Sequence, residues 1–118
     1  MNHYEISRNN GSEIEKKVSE LFDLTIVNKN YDAVDKFNNR YEIKSCQEWT
    51  TNGKRKRRGA FVLEEKDYED LDKTFIFVVH RNKEIIHITK IPAKVFVKHH
   101  LKTRRVPWKD VFSLIYME

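Results

Sequence analysis

Three side chains in the first half of the chain have the types and spacing to handle a phosphate. They are Asp32, in Tyr31-Asp32-Ala33-Val34, and then Glu42 and Lys44 of Glu42-Ile43-Lys44, with an Asn38-Asn39 pair between the two segments. Carboxylates from adjacent strands supply the hard oxygen ligands that Mg²⁺ or Mn²⁺ takes, and they leave positions open for water and a phosphate oxygen. Side chains alternate across a strand, so Glu42 and Lys44 project to one face while Ile43 points to the other. Beside such a cation the Lys44 ammonium can stabilise the charge that builds up on a phosphate under attack. A Glu-x-Lys tripeptide taken alone is equally the solvent face of a charged strand, so the elements around it decide its meaning.

Upstream, Ile14, Val18, Leu21 and Phe22 recur at helical spacing, and Ser12 with Glu15 three residues later reads as a capping box that starts the helix. Glu13 is an ordinary first-turn acid in that reading. An apolar segment follows from Leu24 to Val27, then a strand from Tyr31 to Phe37 and another from Arg40 to Cys46, joined at the Asn-Asn turn. Asp35 rivals Asp32 for the place opposite Glu42. A two-residue loop pairs Asp35 with Glu42, whereas a three-residue loop that includes Arg40 puts Asp32, Val34, Glu42 and Lys44 on one face.

A helix feeding a sheet, with Asp32 on the second strand and Glu42-Ile43-Lys44 on the third, resembles the PD-(D/E)XK nuclease superfamily. Within it, Gly11 followed four residues later by Glu15 looks most like the archaeal Holliday-junction resolvases. The resemblance implies an α/β, restriction-endonuclease-like core with a mixed central β-sheet flanked by helices. It also implies a Mg²⁺-dependent endonuclease, with Mn²⁺ as a possible substitute, that hydrolyses DNA phosphodiester bonds. Asp32, Glu42 and the Ile43 carbonyl would hold the metal, Glu15 would complete the site, and Lys44 would act on the phosphate. Gln47 resembles a glutamine that some members place near the site, where it would orient water. Glu13 is the alternative to Glu15, and a capping role is the alternative for Glu15 itself.

At 118 residues the chain reads as a single domain over 1–118, with room for one core. The longest apolar run, Phe75 to Val79, is far short of a membrane span, and the start lacks a secretory signal's apolar stretch, so an intracellular, cytoplasmic protein with no membrane partner is expected. The single cysteine, Cys46, reads as a small buried hydrophobe in a reducing compartment. No zinc-ligand spacing is present.

The net charge of +5 matters where it clusters. Lys54, Arg55, Lys56, Arg57 and Arg58, between Gly53 and Gly59, read as a mobile loop directly beyond the Glu-x-Lys strand. A second cluster from Lys98 to Arg105 contains His99, His100, Lys102, Arg104 and Arg105. Neighbouring cations repel one another and are best neutralised by a polyanion, so both clusters are expected to contact DNA, branched or duplex.

Later elements read as a strand at Ala60 to Leu63, a short acidic helix at Glu65 to Leu71, a central strand at Phe75 to His80 and a strand at Ile85 to Ile91 turning at Asn82-Lys83. A helix enters at Pro92, and a final helix or turn opens at Pro107-Trp108. His80 and His87 read as structural strand histidines and not as a metal pair; Trp49 and Trp108 read as core or interface anchors. One site per domain makes a symmetric homodimer the economical way to cut two strands, with Phe96, Val97, Trp108 and Phe112 as interface candidates. The alternatives are a small restriction-type or repair nuclease, and a non-catalytic nucleic-acid-binding module.

Overall fold

The apolar run Phe75 to Val79 lies at the centre of the molecule, buried on both faces. The computed structural model describes residues 3–27, 32–100 and 103–114. Tyr31 and Lys102 lie outside the described residues. In chain order the elements are α1 (His3–Phe22), β1 (Thr25–Ile26), β2 (Ala33–Val34), β3 (Arg40–Gln47), β4 (Trp49–Asn52), β5 (Arg55–Arg58), β6 (Ala60–Val62), α2 (Glu65–Glu69), β7 (Lys73–Arg81), β8 (Glu84–Pro92), α3 (Ala93–His99), β9 (Arg105–Pro107) and α4 (Trp108–Ser113).

The main sheet has the order β1-β2-β3-β7-β8. Only β3 and β7 run parallel, so the sheet is mixed, with antiparallel hairpins on either side of a parallel centre. The two-residue period of β7 sorts the core into two halves. Ile76 and Val78 join Ile43 and Ala33 beneath Ile14 and Val18 of α1. Phe75, Phe77 and Val79 face the other way, against Phe61, Ala93, Phe96, Val106 and Val111. Parallel pairing sets Glu42 beside Phe75 and Lys44 beside Phe77, which puts both polar residues on this second face, away from α1. No helix among the described residues is long and apolar enough to cross a membrane.

Several expectations are corrected here. The helix does not start at Ser12, which lies inside α1; adding residues to an existing helix gains one hydrogen bond each, and this outweighs a local capping preference. The helix stops in a Schellman arrangement, with Asp23 at φ 56° and the Leu24 N–H bonded to the Ser19 carbonyl at 2.8 Å. Leu21 is 62% exposed and lies outside the apolar stripe. Phe96 and Val97 are buried in the core and cannot form a subunit interface.

The expected basic loop is a β-hairpin. β4 and β5 pair from Trp49↔Arg58 to Asn52↔Arg55, leaving Gly53-Lys54 as a two-residue turn. Gly53 alone has positive φ there, at 66°, which identifies a II′ turn with glycine at its first central position. Asn82 and Lys83, both at positive φ, make the corresponding two-residue turn between β7 and β8. β9, which pairs with β6, was not anticipated either; Val106 reaches the core from it.

Candidate active site

β2 is only two residues long, and this shortness shapes the site. It pairs Ala33 with Tyr41 and Val34 with Arg40, so Asp32 falls opposite Glu42 as the ladder ends. The Asp32 N–H still donates to the Tyr41 carbonyl at 3.1 Å, but the next donor, the Ile43 N–H, is taken by the Asp32 carboxylate at 2.9 Å. N–H and C=O of one strand residue leave by the same edge. The Ile43 carbonyl therefore faces the side occupied by Asp32.

The rival acid has another task. The Asp35 carboxylate accepts the N–H groups of Phe37 and Asn39, both at 2.9 Å, the Asn39 side-chain amide and the Tyr41 hydroxyl. It ties together the five residues between Val34 and Arg40, which replace the two- or three-residue loops expected from sequence. Those bonds hold its carboxyl below the usual range, the Asn39 side chain contributing most.

Glu42 is 4% exposed, and its Oε2 is buried with no hydrogen-bond partner among the described residues; Oε1 lies 3.6 Å from Lys44 Nζ. Burial, and then the Asp32 charge, push the Glu42 carboxyl upward against the pull of Lys44. Burial likewise raises Asp32, opposed by the Ile43 N–H and Lys44. Glu15 of α1 is pushed to about 7, first by burial and then by the charges of Asp32 and Glu42. Glu15, Asp32, Glu42 and Lys44 thus act on one another's charge, with Glu15 coming from the α1 side of the sheet and Glu42 and Lys44 from the other.

Being interior to α1, Glu15 has no orphan helix-start N–H to satisfy, which removes its capping alternative. Glu13 is drawn elsewhere: its carboxylate pairs with Lys83 at 3.3 Å, at the turn between β7 and β8. Gln47 does not join the cluster. It ends β3, three residues beyond Lys44 and on the opposite face by alternation, exposed in a cleft shared with His80, Asn82 and Lys83. His80 and His87 lie on opposite faces, since His87 pairs with Val79 and His80 with Ile85.

Asp67 escaped the sequence analysis. It is fully buried on α2, and its Oδ2 receives the Glu64 N–H at 2.7 Å and lies 2.9 Å from Lys44 Nζ. The buried Lys73 ammonium stands 3.4 Å from Oδ1. The only sequence signal was one acid among several in a short acidic helix, indistinguishable from a solvated first-turn residue.

The basic hairpin springs from the far end of β3; Trp49 follows Glu42 by seven residues, roughly 23 Å along an extended chain. Alternation spreads the cations over both faces of the ribbon, and Lys56 and Arg58 lie over the Trp49 ring at 5.1 and 5.3 Å. Arg105 on β9 reaches the Arg58 carbonyl at 3.5 Å, so the two basic clusters join. Arg104 lines a cleft with Glu64, Tyr68 and Glu69 beside α2. Cys46 is buried and its thiol is pushed up to about 12, which makes it inert.

Among the described residues no three Asp, Glu, His or Cys side chains are arranged to hold a metal ion by themselves. The donors that do face one another are two carboxylates and a strand carbonyl, a hard oxygen set that suits Mg²⁺ or Mn²⁺ with water completing the shell. The orphaned, buried Glu42 Oε2 is the atom such an ion would satisfy.

A mixed sheet with an acid pair and a lysine where β2 meets β3 defines a nuclease-type α/β domain. The chain belongs to the PD-(D/E)XK nuclease superfamily: the model of a PD-(D/E)XK nuclease superfamily domain matches residues 1–113. Members of this superfamily generally use divalent metal ions, and a nuclease domain implies nucleic-acid binding. No curated protein matches the chain.

Proposed function

We propose that the protein is a Mg²⁺-dependent DNA endonuclease, with Mn²⁺ able to substitute, selective for branched structure in the manner of a Holliday-junction resolvase. The observation that carries the site assignment is the partnerless Glu42 Oε2, buried beside Asp32 and Lys44. Asp32, Glu42 and the Ile43 carbonyl are the residues to hold the ion, with Glu15 completing the acid cluster. When bound, the ion shields phosphate charge and lowers the pKa of a coordinated water. Lys44 keeps its proton between Glu42 and Asp67 and offers it to the phosphate oxygen on which charge develops. The hairpin cations Lys54 to Arg58, with Arg104, Arg105 and Lys102, hold the backbone of the substrate.

Selectivity for branched DNA is supported by the Gly11–Glu15 spacing and by the exposed ribbon, which carries cations on two faces. Two strands need two sites, so a symmetric pair of copies is proposed as the working unit.

The test is a panel of four-way junction, flap, nicked and linear duplex DNA, with Mg²⁺, with Mn²⁺ and with chelator. Symmetric paired nicks in the junction, lost on Glu42→Ala and Lys44→Ala, support the proposal. Sequence-specific duplex cuts point to a restriction-type or repair nuclease, and binding without cleavage of any substrate to a non-catalytic module. Sedimentation of the protein with and without junction reads the number of copies.

A further inference from the structure

A helix cap does not account for Asp67. Helix α2 is five residues long, and the Glu64 N–H alone completes the Asp67 half of its capping box. Yet this carboxylate, with no exposed surface, also takes Lys44 at 2.9 Å and Lys73 at 3.4 Å. Taking three charges out of water is expensive, and a cap on the surface would serve the helix equally well. Lys73 cannot withdraw: it is 3% exposed, and its Nζ is packed over the Phe75 ring at 5.1 Å.

The charges alternate in sign along a row of contacts that runs Lys73, Asp67, Lys44, Glu42. Lys44 thus has one N–H committed to Asp67 and a second leaning toward Glu42 at 3.6 Å, which leaves the third for a ligand. A free lysine stem samples many rotamers, and fixing it before substrate arrives removes an entropy cost from the chemical step.

We propose that Asp67, backed by Lys73, is a positioning residue that aims the Lys44 ammonium at the reacting phosphate. The proposal rests on the reading of Lys44 as a group that acts on the phosphate. Asp67 acts only through Lys44, and α2 carries it for that purpose.

The experiment is a double-mutant cycle of Asp67→Asn and Lys44→Met on whichever panel DNA the parent cuts, with single-turnover rates and with DNA affinity measured in chelator. Asn keeps the shape of Asp and an oxygen for the Glu64 N–H. Asp67→Asn should lower the cleavage rate by about 10- to 100-fold with DNA affinity unchanged, and cost nothing further once Lys44 is Met. A parent rate retained by Asp67→Asn while Lys44→Met is slow overturns the proposal, as does a full additive loss in the double mutant. No cleavage by the parent, or a parent rate in Lys44→Met, instead overturns the nuclease reading of Lys44.

A second measurement needs neither the Asp67 variant nor activity. In ¹⁵N-lysine-labelled, metal-free protein, Lys44 should give a slowly exchanging ammonium resonance, identified by its loss in Lys44→Met. A Lys44 ammonium that exchanges as fast as the surface lysines overturns the proposal.

Discussion

The carboxylate of Asp32 accepts the backbone N–H of Ile43 at 2.9 Å, so that a side chain continues the ladder where β2 stops. This bond fixes which acid of the second strand stands beside Glu42, and it holds Asp32 at the edge from which the Ile43 carbonyl emerges.

Asp32→Ala and Asp35→Ala should therefore separate. Loss of Asp32 is expected to abolish metal-dependent cleavage, falling by about 100-fold or more. Loss of Asp35 should leave the rate near that of the parent and lower the melting temperature by a few degrees, since its carboxylate ties the turn. Rates and thermal scans on the two variants check both outcomes.

The metal-free protein should become less stable as pH rises through neutrality. Glu15 is raised from 4.5 to about 7 in the folded state, so the folded form holds its proton more tightly than the unfolded chain does. Its stabilising contribution is complete below 4.5 and is lost as pH rises through about 7. Asp67, lowered by the Glu64 N–H and Lys44 against its burial, behaves oppositely: its contribution is present above 3.8 and lost as pH falls below that value. Denaturant midpoints should thus peak on the mildly acidic side, and Glu15→Gln should flatten the fall between 4.5 and about 7, the window set by the Glu15 shift.

Added Mg²⁺ or Mn²⁺ should reverse that loss. A cation bound only by the folded form at 100 times its Kd stabilises by about 2.7 kcal/mol. The gain should be present at pH 8, shrink at pH 5 as the carboxylates protonate, and vanish in Glu42→Gln. Thermal scans with chelator and with metal read it directly.

Replacing Arg55 and Arg57 by Gln should weaken DNA binding on all sequences alike and lower the slope of log K against log salt by about 2, near 0.9 for each phosphate that is no longer neutralised. Both residues are exposed on the ribbon and stand outside the proposed metal-binding set, so the cleavage rate at saturating DNA should stay that of the parent.

Gly59→Ala should cost about 3 kcal/mol or more. A Cβ there would come within 1.8 Å of the Gln47 carbonyl oxygen, a backbone atom held in β3, and Gly59 itself bonds Glu48 and Trp108 through its main chain. Chemical denaturation gives the value.

Hydrophobic periodicity along the chain was enough to show a helix before a sheet, the buried central strand at Phe75 to Val79, and Glu42 and Lys44 on a common face. These are properties of one segment at a time, set by side-chain alternation and helical spacing. The Asn82-Lys83 turn was legible for the same reason. The Gly53-Lys54 turn carried an equally local signal, hidden because a run of like charges reads as a loop, whereas pairing in a hairpin separates those charges onto two faces.

Other features depend on which segments meet. That Asp32 and not Asp35 falls opposite Glu42 turned on a five-residue connection whose register no local pattern encodes, because one residue of slip exchanges the two faces. Glu13 pairs with Lys83, far along the chain, a contact no local pattern shows. Strand parity puts Gln47 on the face opposite Lys44, and the packing of a short helix over the sheet brings Asp67 to Lys44. A sequence specifies side-chain chemistry and local period; long-range contacts alone decide which charges share a volume from which water is excluded, and in that volume a carboxylate either keeps an unpartnered oxygen, as Glu42 does, or anchors a lysine, as Asp67 does.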